Sequence, residues 1–177
     1  MKLPWRPVCP VPNRIGPLIL TSLTEQEATT LQDLAENKRV LEIGSANGFS
    51  AIVMASTADQ VISIDPHTDV ENSFVTMREN LKAYDCTDKV IQLVGKSRNV
   101  FHLLSRESFD LVFVDGDHSY DAVKYDIVTC LRDLLDQPGV LAVHDYGEES
   151  CPDVTRCLDE LFDQPKQLVD TLFVVTK

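Results

Sequence analysis

The chain has no apolar run approaching the roughly 18 residues of a membrane-spanning helix. Its opening stretch, MKLPWRPVCPVP, is broken by prolines and lacks the apolar core of a secretion signal, so the expected location is the cytoplasm. Basic charge is scarce: 16 lysines and arginines face 28 acids, for a net charge of −12. That balance opposes a nucleic-acid-binding surface, which needs a basic patch against phosphates. The five cysteines are odd in number and form no Cys-x-x-Cys, which argues against a disulfide framework or a zinc site. Reduced, partly buried thiols are expected, with Cys130 on the apolar stripe of a helix. There is no internal repeat, low-complexity tract or linker. What remains is 177 residues, 44% apolar, suited to one domain with a full core.

Residues 1–20 hold five of the nine prolines and the charges Lys2, Arg6 and Arg14 without any acid. They read as an extended arm that could fold over the acidic body or a partner subunit, as in a homodimer; residues 21–177 read as a single domain. Thr24 with Glu27 forms a capping box for a first helix, with Ala28, Leu31 and Ala35 on one face. Strands are then expected at 39–43, 60–64, 89–94, 109–114, 139–143 and about 168–176. Helices are expected near 48–57, 70–84, 98–105, 119–135 and 153–162. Such alternation predicts an α/β, Rossmann-like, doubly wound sheet of six or seven mostly parallel strands with helices on both faces.

Four apolar runs end on or next to an acid: VLEIG with Glu42, VISID with Asp65, LVFVD with Asp115 and LAVHD with Asp145. In open α/β sheets ligands bind at the carboxyl ends of the strands, so these acids point to one site. Gly44 and Gly48 follow the first run in the spacing G-x-x-x-G, where a nicotinamide or flavin fingerprint would read G-x-G-x-x-G. Ala46 stands at the middle glycine's place, which favours a ligand without a pyrophosphate. Asp65 lies 21 residues after Gly44, where a carboxylate can accept from ribose hydroxyls.

With VLEIGSANGFS, VISIDPH, FDLVFVDGDHSY and GVLAVHDYG, the chain resembles the class I S-adenosylmethionine-dependent methyltransferases over nearly all of residues 38–147. The resemblance implies that Gly44, Ser45 and Gly48 line the methionine and ribose part of S-adenosylmethionine. Asp65 would hold the ribose, Glu42 would lie beneath the loop near the amino-acid end, and Gly95-Lys96-Ser97 would flank the adenine. Lys96 departs from relatives that carry an acid there.

Asp115 and the pair His144-Asp145 should end neighbouring strands, where carboxylates and an imidazole could hold a divalent cation. Mostly oxygen ligands suit magnesium or manganese, and the histidine extends the range to iron, nickel or zinc. This part resembles the macrocin-type O-methyltransferases and the cephalosporin-hydroxylase-like branch, which implies a magnesium site at Asp115, His144 and Asp145, with His144 replacing an acid. His118, in the loop after Asp115, is the first choice for a general base and Asp117 the second, with helix capping as the alternative for either. Tyr120 and Tyr146 flank the same mouth. The reading is methyl transfer from S-adenosylmethionine to a small-molecule acceptor, most simply a hydroxyl. The rivals are a cofactor-binding regulatory module without turnover and a nicotinamide-dependent oxidoreductase.

Overall fold

Each central apolar run alternates its side chains between two buried faces, the mark of a sheet covered on both sides. Val40, Leu111, Phe113 and Ala142 enter one core cluster, while Leu41, Ile43, Val112, Val114, Leu141 and Val143 enter the other. The structure, a computed structural model, describes residues 6–11 and 16–177. The elements are β1 (Arg6–Val8), β2 (Ile19–Thr21), α1 (Glu25–Leu34), β3 (Arg39–Ile43), α2 (Phe49–Ala55), β4 (Gln60–Asp65), α3 (Ser73–Ala83) and β5 (Val90–Val94). They continue as α4 (Ser97–Val100), β6 (Phe109–Val114), α5 (Tyr120–Thr129), β7 (Leu135–Val143), α6 (Pro152–Leu161), β8 (Gln167–Val169) and β9 (Leu172–Thr176).

Seven strands form one sheet in the order β5-β4-β3-β6-β7-β9-β8. The first five are parallel, and β9 and β8 close the edge antiparallel. The expected doubly wound α/β architecture is therefore present, with seven strands. Strand order reverses at β3, which pairs with both β4 and β6. That switch point opens a crevice at the carboxyl ends of the strands.

Three local differences from the sequence expectations have identifiable causes. The last strand, expected as one piece, is a hairpin: Asp170 takes a positive φ of 50° between β8 and β9 and reverses the chain. The long helix expected to Leu135 leaves α-geometry at Thr129 and ends in a π-helical turn, Cys130–Leu134, with Cys130 buried as expected. Buried Leu135 then pairs with Phe109, so β7 starts four residues before the expected Gly139; the register shifts before Leu111 meets Val140.

Part of the arm lies outside the described residues, including Lys2, Pro4, Pro12 and Arg14. Within the described part, β1 pairs antiparallel with β2. Tyr84 donates to the Pro17 carbonyl at 2.7 Å, and Arg6 donates to the Leu23 carbonyl at 3.2 Å. Among the described residues no helix is long and apolar enough to cross a membrane.

Candidate active site

Backbone bonds that extend the strand ladders bring the four acids together. Gly44 donates to the Ile64 carbonyl, Gly95 to Asp65, Asp115 to Ile43 and His144 to Val114, at 2.8, 3.1, 2.8 and 3.0 Å. Gly44 has φ +90°, and a Cβ there would stand 2.1 Å from the Asp115 carbonyl oxygen. Only glycine lets the loop after β3 pass this close to the loop after β6. Gly48, at φ +85°, turns the loop into α2.

A cavity of about 750 Å³ fills the crevice. Gly44, Ser45, Asp65, Ser97, Asp115, Asp117 and His118 all line it, and Leu20–Leu23, where the arm meets the domain, wall it. Glu42, Gly48, His144 and Asp145 lie behind this surface. Asp65 is fixed by the glycine loop itself: Oδ2 accepts from the Ser45 and Ala46 amides, both at 2.8 Å, and Oδ1 accepts from the His67 amide at 2.5 Å. A carboxylate offers about four acceptor positions, so Asp65 keeps capacity for a hydroxyl donor. Ser45 Oγ is buried in the cavity wall without a hydrogen-bond partner among the described residues.

Glu42 is fully buried beneath the loop. Ser50 and Ser63 donate to its two oxygens at 2.5 and 2.6 Å. Burial pushes its carboxyl up to about 8, against those two hydroxyls.

On the other half of the sheet, two histidines lie among three acids. His144, only 3% exposed, has Nδ1 at 3.3 Å from Asp115 and 3.4 Å from Asp145, while Nε2 faces Glu27 Oε2 at 3.3 Å. Burial works against its charged form, but the surrounding carboxylates win and hold it well above the ordinary imidazole range. His118 Nε2 lies 2.7 Å from Asp145 and 3.7 Å from Asp115. Those two carboxylates raise it to about 10. Burial raises the Asp115 carboxyl, yet His144 and His118 together hold it well below the usual range. Raised that far, the His118 ring holds its proton at neutral pH, and it can serve as the base expected from sequence only where the hold of those carboxylates is relieved.

Asp117 accepts from the Ser119 amide at 3.0 Å at the start of α5, a turn-forming role. Tyr120 and Tyr146 do not line the cavity; their hydroxyls bond Glu160 and Asp159 on α6. His67 stays apart from the other two histidines, bonded through Nδ1 to Ser73 at 2.9 Å.

Glu27 is the residue that sequence reasoning placed only as a helix cap. It does cap, accepting from the Thr24 amide at 2.8 Å. It also accepts from the Thr171 amide and hydroxyl at 2.8 and 2.7 Å, so one buried carboxylate joins α1, the β8–β9 turn and His144. Its separation of 117 residues from His144 leaves no local sequence signal.

A family described as a methyltransferase domain matches residues 41–146. A catechol O-methyltransferase of Mycobacterium tuberculosis is 35% identical over 86 residues, which are 45% of this chain and 36% of that protein. The match thus spans about a third of the curated relative's length. Among solved structures, cofactor-bound Rv0187 from MTB superposes with a TM-score of 0.69 at 26% identity, covering 81% of this chain and 70% of that one. An O-methyltransferase from Bacillus cereus in complex with SAH gives a TM-score of 0.70 at 18% identity, over 88% and 82% of the two chains, a likeness of fold.

Proposed function

The chain belongs to the methyltransferase-domain family, and on that premise we propose that it transfers a methyl group from S-adenosylmethionine to a hydroxyl of a small-molecule acceptor. The carrying observation is one cavity that joins the glycine loop and Asp65 to Asp115 and His118. The catechol O-methyltransferase relative and the SAH-bound neighbour support the same reading. The residues fit the cofactor: Gly44 lacks the Cβ that would close the loop, Ser45 Oγ is an unpartnered buried group, and Asp65 is pinned with acceptor capacity left. Gly44, Ser45 and Gly48 would shape the methionine and ribose end, Asp65 would hold the ribose, and Ser97 would flank the adenine. Glu42 supports the loop from below.

Bound S-adenosylmethionine supplies a methyl group on a sulfonium, open to displacement. The chain's residues align the acceptor and take its proton. We assign that proton to His118, whose ring, held as an imidazolium by Asp115 and Asp145, becomes a base when a cation engages those two carboxylates. Asp115 orients both histidines. Asp117, committed to the loop, is the weaker candidate.

The residues also fit a divalent cation. Asp115, His144 and Asp145 bring one ligand atom each within 4.8 Å of one another. The Glu27 carboxylate beside His144 Nε2 is the partner that a metal-ligating histidine uses on its other nitrogen. A cation there would steady negative charge on an acceptor oxygen. A cytoplasmic location and pairing of two copies through residues 1–20 belong to the same reading. Sedimentation of the chain with and without those residues tests the pairing.

The test is transfer of labelled methyl from S-adenosylmethionine to a panel of phenolic and sugar hydroxyls, with and without added magnesium. Product on at least one acceptor is expected. Absence of transfer by a chain that binds the cofactor would favour the regulatory module.

A further inference from the structure

We infer that Asp126 is the residue that recognises the nucleobase edge of the cofactor, accepting a hydrogen bond from the exocyclic amine of adenine. The inference rests on the proposed binding of S-adenosylmethionine. Asp126 lies on α5, is 2% exposed, and lines the cavity. Its Oδ1 accepts from Ser97 Oγ at 2.5 Å; Oδ2 has no hydrogen-bond partner among the described residues.

The placement follows from the sheet. Asp65 ends β4, and the reacting groups Asp115 and His118 follow β6. A ligand with its ribose at Asp65 and its reactive end near His118 has its base beside the Gly95–Arg98 loop that follows β5. The Ser97 bond ties Asp126 to that loop. The neighbouring cations cannot serve as acceptors: Lys96 and Arg98 are donors only, and Arg98 lies over the Tyr125 ring. Burial raises the Asp126 carboxyl to about 6, against Ser97, so at pH 7.5 it is a carboxylate and can only accept. It therefore suits an amine and repels a carbonyl. Adenine presents the amine at position 6; hypoxanthine presents a carbonyl there.

The test is calorimetric binding of S-adenosylhomocysteine and S-inosylhomocysteine to the full chain at pH 7.5. The wild type is expected to prefer the adenine compound by about 10- to 100-fold, the range for a hydrogen bond to a charged group. In Asp126→Asn, Ser97 keeps the amide oxygen and turns the amide nitrogen toward the base. The variant should lose affinity for the adenine compound, gain it for the inosine compound, and bring the ratio to one or below. Equal affinity of the wild type for the two compounds overturns the inference, and that arm needs no variant. An unchanged preference in folded Asp126→Asn also overturns it, while leaving the cofactor reading intact. Failure of the wild type to bind either compound would remove the cofactor reading and the inference together.

Discussion

Replacing Gly44 with alanine probes the point where the two halves of the site touch. The added Cβ would meet Asp115 O at 2.1 Å, Asp115 C at 2.5 Å and Gly116 Cα at 2.8 Å, all backbone atoms with no rotamer to yield. The φ of +90° adds a backbone cost of about 1–2 kcal/mol for an L-residue. Displacing packed backbone costs about 1–3 kcal/mol more. The sum, about 2–5 kcal/mol, corresponds to a fall in Tm of roughly 4–20 °C for a domain of this size. Gly48→Ala is the matched control. It carries a similar φ, but the atoms nearest its Cβ belong to the flexible Met77 side chain, the closest at 2.8 Å, so the loss should be near 1–2 kcal/mol. Differential scanning fluorimetry of both variants, with and without S-adenosylhomocysteine, reads the difference. Gly44→Ala should be the less stable and should lose the ligand-induced rise. Equal Tm values, or full stabilisation of Gly44→Ala by ligand, would refute the close-approach argument.

Glu42, neutral in the fold up to about pH 8 and ionised in the unfolded chain above about 4.5, binds more protons when folded across that window. Its contribution to stability is therefore present at low pH and lost as pH rises toward 8. The stability advantage of Glu42→Gln over wild type should grow between those limits by up to about 1.4 kcal/mol per pH unit, measured by urea unfolding; a constant difference would contradict it. Glu27→Gln sets an amide N–H against a donor whichever way it turns and should cost about 1.5–3 kcal/mol, read by thermal unfolding. The same variant should weaken manganese binding about 10- to 100-fold by calorimetry, because it removes the partner that orients His144. His118→Ala should lower the methyl-transfer rate about 10²- to 10⁴-fold while leaving the Kd for S-adenosylhomocysteine unchanged.

The central strands were legible because each is a short apolar run closed by Gly, Pro or an acid, and both faces of the sheet are buried. The Thr24–Glu27 cap was legible for the same local reason. So were the glycine loop and Asp65, whose spacing carries the turn and the neighbouring strand end. The second function of Glu27 was not: it comes from the β8–β9 turn folding back to place Thr171 on the same carboxylate. Nor was the basicity of His118, which requires both Asp115 and Asp145 beside one ring. Asp126 reads in sequence as a polar position on an amphipathic helix. Its place in the cavity wall depends on how α5 packs across from Ser97.

The central claim, that the crevice at the sheet's switch point holds S-adenosylmethionine through the glycine loop and Asp65, is tested most directly by calorimetric titration with S-adenosylhomocysteine. The wild type should bind one equivalent and show no heat with NAD, and Asp65→Ala should bind at least about tenfold more weakly, as loss of a carboxylate acceptor requires. No binding by the folded wild type, or equal binding by Asp65→Ala, would contradict it.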